Sequence, residues 1–210
     1  MSGPGANRGA NRNGADKVYD RDYFQRWYRD FGIGGRGRLQ RQVALAVAAT
    51  EYHLERPIRS VLDVGCGEGV WRAPLLKLRP TVRYLGFDSS EYAIRRYGAR
   101  RQLHLARFGD FALLRPCPPV DLLICSDVLH YLQAREIDRG LPGLAELCAG
   151  VAFIETYTAE DEIEGDHHGF LRRPAAFYRK RLHTTGFRQI GSHCWLSPAL
   201  AATAAAMETC

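Results

Sequence analysis

The sequence predicts an α/β fold, a three-layer sandwich around a mostly parallel, twisted sheet, and three observations point there. From Val61 onward, short apolar runs alternate with helical segments in a repeated strand–helix–strand order. The runs are almost continuously apolar rather than alternating, as in parallel strands covered on both faces. The first run, Val61-Leu62-Asp63-Val64, passes directly into Gly65-Cys66-Gly67-Glu68-Gly69, a glycine turn that opens a helix. Glycines there let the backbone adopt dihedrals other residues resist and approach a ligand closely. The helix start offers unpaired N–H groups.

Composition narrows the class. At 210 residues the chain fits one domain with a substantial core. Its 46% hydrophobic and 25% charged content is that of a soluble globular protein. It has no apolar run of roughly 18 residues, so no membrane span is expected. Cys66, Cys117, Cys125, Cys148, Cys194 and Cys210 form no C-x-x-C pair, and several sit in apolar runs, where free cysteine packs as a small hydrophobe. A reducing, cytoplasmic setting is expected. The net charge of +6 and pI near 9.1 raise the question of nucleic acid. The arginines are scattered, however, at Arg21, Arg26, Arg29, Arg36, Arg38 and Arg41, then Arg95, Arg96, Arg100 and Arg101. Acids interleave with the first group, so the bias reads as compositional habit.

In chain order, residues 1–16 form a Gly-, Asn-, Ala- and Arg-rich tail expected to be disordered. A helical cap follows over 17–56. Its first helix, Lys17 to Phe31, carries Tyr19, Tyr23 and Trp27 at i, i+4 spacing, an aromatic face able either to dock on the core or to close over a cation. After the Gly32–Gly37 break, Arg38 to Glu55 makes a second helix that Pro57 ends. The core spans 57–197. Strand Val61–Val64 leads to helix Glu68–Leu78, and strand Val82–Asp88 to helix Ser89–Tyr97. Strand Leu103–Phe108 runs into Gly109-Asp110-Phe111. After the Pro116–Pro119 loop comes a buried strand, Val120 to Asp127. Helix Glu136–Cys148, strand Gly150–Tyr157, an acidic loop Ala159–Gly169 and helix Arg173–Thr185 follow. Phe187–Leu196 reads as one strand or a bent pair, and 198–210 as an Ala-rich tail.

The glycine turn admits two cofactors. A dinucleotide fingerprint, G-x-G-x-x-G, needs a third glycine where this chain has Val70. Asp63 and Glu68 would also repel a pyrophosphate, whereas they suit a cofactor carrying positive charge. The stretch closely resembles motif I, D-x-G-x-G-x-G after a hydrophobic pair, of the class I S-adenosylmethionine-dependent methyltransferases. Three more motifs of that family follow in order. Asp88-Ser89-Ser90 resembles motif II, 19 residues after Gly69. Gly109-Asp110-Phe111 resembles the adenine-flanking motif, and Ser126-Asp127-Val128-Leu129 motif IV. The resemblance covers about Tyr19 to Leu196.

It implies a Rossmann-like methyltransferase core with an N-terminal helical lid, and S-adenosylmethionine as cofactor. Asp63, Gly65, Cys66 and Gly67 would hold it, with Asp88 on the ribose hydroxyls and Ser89 beside the adenosine. Gly109, Asp110 and Phe111 would flank the adenine, Ser126, Asp127 and Val128 would close the site, and Tyr19, Tyr23 and Trp27 would cover it. The family sheet ends in an antiparallel hairpin, of which only one strand is clear here.

Methyl transfer is an in-line displacement that depends mainly on positioning. A thiol or hydroxyl acceptor also needs its proton removed, and His130, just after motif IV, is the candidate base. His167 and His168 lie in the acidic loop after the fifth strand. Loop carboxylates are usually solvated, so no metal is expected. The chain lacks D/N-P-P-Y/F, any lysine between Lys17 and motif I, and a C-x-x-C module. The expected acceptor is therefore a small molecule, methylated on O, N or S. An RNA or protein methyltransferase reading through the basic front is the alternative, and a nicotinamide-dependent oxidoreductase is disfavoured by Val70 and the acidic turn.

Overall fold

The computed structural model describes residues 20–24, 36–162 and 169–209. The strands are β1 (Ser60–Val64), β2 (Arg83–Asp88), β3 (Leu103–Leu105), β4 (Val120–Ser126), β5 (Cys148–Glu155), β6 (Arg188–Gly191) and β7 (Cys194–Leu196). They form one sheet in the order β3-β2-β1-β4-β5-β7-β6. The first five strands are parallel, and β7 runs antiparallel to both β5 and β6. The expected bent pair is thus a complete terminal hairpin. Its turn is made by Ser192 and His193, both at positive φ.

The helices are α1 (Arg21–Phe24), α2 (Arg36–Leu54), α3 (Arg72–Leu78), α4 (Glu91–Arg101), α5 (Ala134–Leu147), α6 (Ala175–Thr184) and α7 (Pro198–Ala201). Two apolar layers sandwich the sheet. On one face Val43, Ala46 and Val47 of α2 and Leu75 of α3 pack against Val61, Leu122, Ile124 and Phe153. On the other, Ile137, Leu141 and Leu144 of α5 and Tyr178 and Leu182 of α6 cover Leu62, Val64, Leu123 and Cys125. Leu62, Leu122, Ile124 and Phe153 have no exposed surface, as strands covered on both faces require. The second cap helix is therefore a full member of the sandwich. Glu55 turns left-handed just after it, two residues before Pro57. No helix among the described residues is long and apolar enough to cross a membrane.

Two boundary differences bear on the site. The helix predicted from Glu68 begins at Arg72, because Gly69, inside the predicted span, has a φ of 73°, which no right-handed helix contains. The third strand stops at Leu105, and Phe108–Ala112 is a 3-10 turn.

Candidate active site

Strand β1 lies between β2 and β4, so the chain leaves it toward opposite sides of the sheet. A crevice forms where such a sheet switches direction, beyond the carboxyl ends of its strands. The ends of β1, β2 and β4 carry the glycine turn, Asp88 and Ser126-Asp127-Val128, so three of the four motifs meet there.

The glycine turn is held by its own amides. Gly65 and Cys66 N–H both donate to the Phe87 carbonyl, at 2.7 and 3.0 Å, and Gly69 N–H to the Cys66 carbonyl at 2.8 Å. Gly67 N–H donates to Asp88 Oδ2 at 2.7 Å. The other Asp88 oxygen accepts the Ser90 amide at 2.7 Å. Burial raises the Asp88 pKa, against the lowering effect of those amide bonds. Ser90, and not Asp88, caps α4, its hydroxyl accepting the Ala93 amide at 3.1 Å. Ser89 beside it is exposed.

Asp63 is 2% exposed, and the Tyr84 hydroxyl donates to its Oδ2 at 2.6 Å. Desolvation pushes the carboxyl up to about 7; the Tyr84 bond opposes the rise and the charge of Asp88 adds to it. Cys66 is buried beside it, its thiol raised mainly by the same desolvation. Gly65 has a steric reason as well as a conformational one: a Cβ there would lie 2.2 Å from Val128 Cγ2. Val128 therefore packs directly onto the first glycine of the turn.

Around motif IV, Asp127 is exposed and left-handed, with φ 63°. Its Oδ1 lies 3.2 Å from His130 Nε2. The His130 ring is 1% exposed. Its Nδ1 faces the Thr156 hydroxyl at 3.1 Å and accepts the Tyr157 amide at 3.3 Å. That pattern fits a proton on Nε2 and leaves both ring nitrogens engaged. The ring is not open to an acceptor.

Ser126 donates to Glu155 Oε2 at 2.7 Å. Arg38 and Gln42 of α2 both donate to Glu155 Oε1, each at 2.8 Å. The sequence reading missed Glu155, Arg38 and Gln42. The only signal was an acid ending the fifth apolar run, and nothing in it names partners so far away in the chain.

The adenine-flanking motif is placed differently. Phe111 has no exposed surface, and its ring stands edge-on to Phe87 at 5.4 Å. It is a core residue because the 3-10 turn folds it under the sheet edge. Gly109 is buried, its amide 3.4 Å from Glu136 Oε1. Asp110 is exposed and accepts the Arg107 amide at 2.9 Å. Tyr19, Trp27, His167 and His168 lie outside the described residues; Tyr23 falls on α1, with its side chain also outside them. Among the described residues no three His, Cys, Asp or Glu side chains are grouped to hold a metal.

Residues 62–150 match the sequence family described as "Methyltransferase domain". Trans-aconitate 2-methyltransferase of Methylobacterium nodulans is 35% identical over 124 residues, covering 58% of this chain and 46% of that protein. The chain thus spans about half the length of the curated relative it matches. The fold is similar to that of Streptomyces venezuelae DesVI, with a TM-score of 0.62 at 16% identity over 78% of this chain and 89% of that one. It is also similar to the sugar N-methyltransferase KedS8 from Streptoalloteichus sp ATCC 53650, with a TM-score of 0.60 at 19% identity over 88% and 91%. Motif order and sheet order agree with a Rossmann-like fold similar to that of these proteins, and residues 62–150 match a methyltransferase domain.

Proposed function

We propose that this protein transfers a methyl group from S-adenosylmethionine to a small-molecule acceptor by in-line displacement. One observation carries the cofactor assignment: the amides of Gly65, Cys66, Gly67 and Gly69 are spent on Phe87, Asp88 and Cys66. A pyrophosphate needs such amides free. This turn instead offers carboxylates, Asp63 beneath it and Asp88 beside it, which favour a ligand with cationic groups and no phosphate. When bound, the cofactor supplies an electrophilic methyl on a sulfonium.

The chain's own residues hold and orient it. Asp88, fixed by two amides, keeps lone pairs for ribose hydroxyls. Asp63 sets a negative potential under the turn, and Val128 against Gly65 shapes the wall. Ser89 and Asp110 are exposed enough to meet the adenosine. His130 acts through others: it fixes Asp127 on one side and Thr156 on the other, and so is a positioning residue. The small-molecule reading is supported by the relative's name.

Calorimetric titration with S-adenosylhomocysteine tests the reading. Saturable one-to-one binding is expected, and a flat titration rejects it.

A further inference from the structure

A second cavity, of about 380 Å³, opens beyond the carboxyl end of β5, between α6 and the β6–β7 hairpin. Its most buried lining side chains are Tyr178, Leu182 and Trp195, and the Tyr178 hydroxyl is enclosed with no hydrogen-bond partner among the described residues. Its rim carries Thr156, Arg179 and His193. We infer that this cavity is the acceptor site, and that it takes a small carboxylic acid which is methylated on oxygen to a methyl ester. The inference rests on the cofactor reading above and adds the substrate class to it.

Position is the first support. Thr156 directly follows Glu155, whose carboxylate is bonded by Ser126 of motif IV. The Thr156 hydroxyl also lies 3.1 Å from His130 Nδ1, and His130 Nε2 lies 3.2 Å from Asp127. The cavity wall is therefore tied to the strand end that faces the cofactor crevice. A volume of this size fits a metabolite and excludes a folded macromolecule.

Charge is the second. Arg179 lines the cavity, and among the described residues no carboxylate or hydrogen-bond acceptor is paired with it. One carboxylate, Asp161, also lines the cavity, but its Oδ2 accepts both the amide and the hydroxyl of Thr158, each at 2.8 Å. Arg179 is thus the cation left to pair. A planar guanidinium matches the geometry of a carboxylate.

Proton balance is the third. His130 is buried with both ring nitrogens engaged. A carboxylic acid is already ionised at neutral pH, so its methylation asks nothing of a base. An oxygen lone pair of the carboxylate forms the O–CH3 bond as the C–S bond breaks. That electron pair stays on sulfur, the sulfonium becomes a neutral thioether, and no proton is released.

The full chain, saturated with S-adenosylhomocysteine, is titrated by calorimetry with trans-aconitate and citrate, and with their primary amides. We expect at least one carboxylate to bind tenfold or more tighter than its amide. Arg179→Gln, a surface change away from the cofactor crevice, should remove that preference and leave S-adenosylhomocysteine affinity unchanged. With methyl-labelled S-adenosylmethionine, the tight-binding acid should acquire label that alkali releases as methanol. Equal binding of acids and amides, no binding of any of them, an unchanged preference in Arg179→Gln, or alkali-stable label each overturn the inference while the cofactor reading stands. Failure of S-adenosylhomocysteine to bind at all instead defeats the cofactor reading, and this inference with it.

Discussion

Arg38, on α2, places its Nη2 atom 2.8 Å from Oε1 of Glu155 at the end of β5, 117 residues away in the chain. Gln42, one helical turn on, donates to the same oxygen, and Ser126 donates to the other. One carboxylate, 7% exposed, thus joins the cap helix to the motif IV strand. Arg38 is half-exposed, so the pair is partly screened. The two bonds to neutral donors, within the protein, contribute most of its worth.

Glu155→Gln should therefore destabilise the fold by about 1–3 kcal/mol, because one of its three donors is left facing an amide N–H. Ser126→Ala, which removes a single donor, should cost about 1 kcal/mol. Urea midpoints measure both. Because motif IV moves with the network, S-adenosylhomocysteine affinity should fall further in Glu155→Gln than in Ser126→Ala; equal affinities would show that the network serves folding alone.

Gly65→Ala combines two penalties, a φ of 74° and a Cβ 2.2 Å from Val128 Cγ2. A loss of about 2–4 kcal/mol is expected, with cofactor binding abolished. Adding Val128→Ala should recover the steric part only. If the double variant regained full stability, the positive φ would carry no strain.

Asp63 links stability to pH. Its carboxyl titrates near 7 in the fold and near 3.8 in a free chain, so the folded state keeps this proton longer. That contribution is fully present below the unfolded value and is lost as pH rises through the folded one. Asp63→Asn, neutral throughout, should gain on the wild type by on the order of a few kcal/mol between about pH 4 and about pH 8. Asp88, whose pKa is raised in the same direction, contributes to the slope left in the variant, and Asp121 and Glu51, whose pKa values are lowered, oppose it. A cationic ligand favours the ionised form, so S-adenosylmethionine, which carries the sulfonium charge, should bind more tightly as pH rises through about 7. The variant should lose that trend; parallel curves for the two proteins refute the assignment.

His130→Ala empties a fully enclosed position and strips partners from Asp127 and Thr156. Destabilisation of about 2–4 kcal/mol is expected. His130→Gln, which can still meet one neighbour, should fall between it and the wild type in chemical denaturation. An alanine variant as stable as the wild type would remove the positioning role.

The strand order, the glycine turn and the carboxylates Asp63 and Asp88 were legible in the sequence because each is local. Apolar runs mark covered strands, and a positive-φ turn demands glycine. The helix predicted from Glu68 failed for the same local reason, read too generously: the left-handed Gly69 delays helix formation to Arg72. Phe111 shows the other limit. A motif resemblance put its ring beside an adenine, whereas packing against Phe87 buries it completely.

By itself the sequence determined the layered α/β architecture, the order of the four motifs and a turn suited to a cation, since periodicity, glycine placement and charge are written along the chain. Tertiary structure alone decided where α2 docks, that Glu155 gathers Arg38, Gln42 and Ser126, that both nitrogens of His130 are taken, and that Arg179 lines the second cavity with no partner among the described residues. These are contacts between residues distant in sequence, fixed by the packing of helices on the sheet, and no local pattern encodes them.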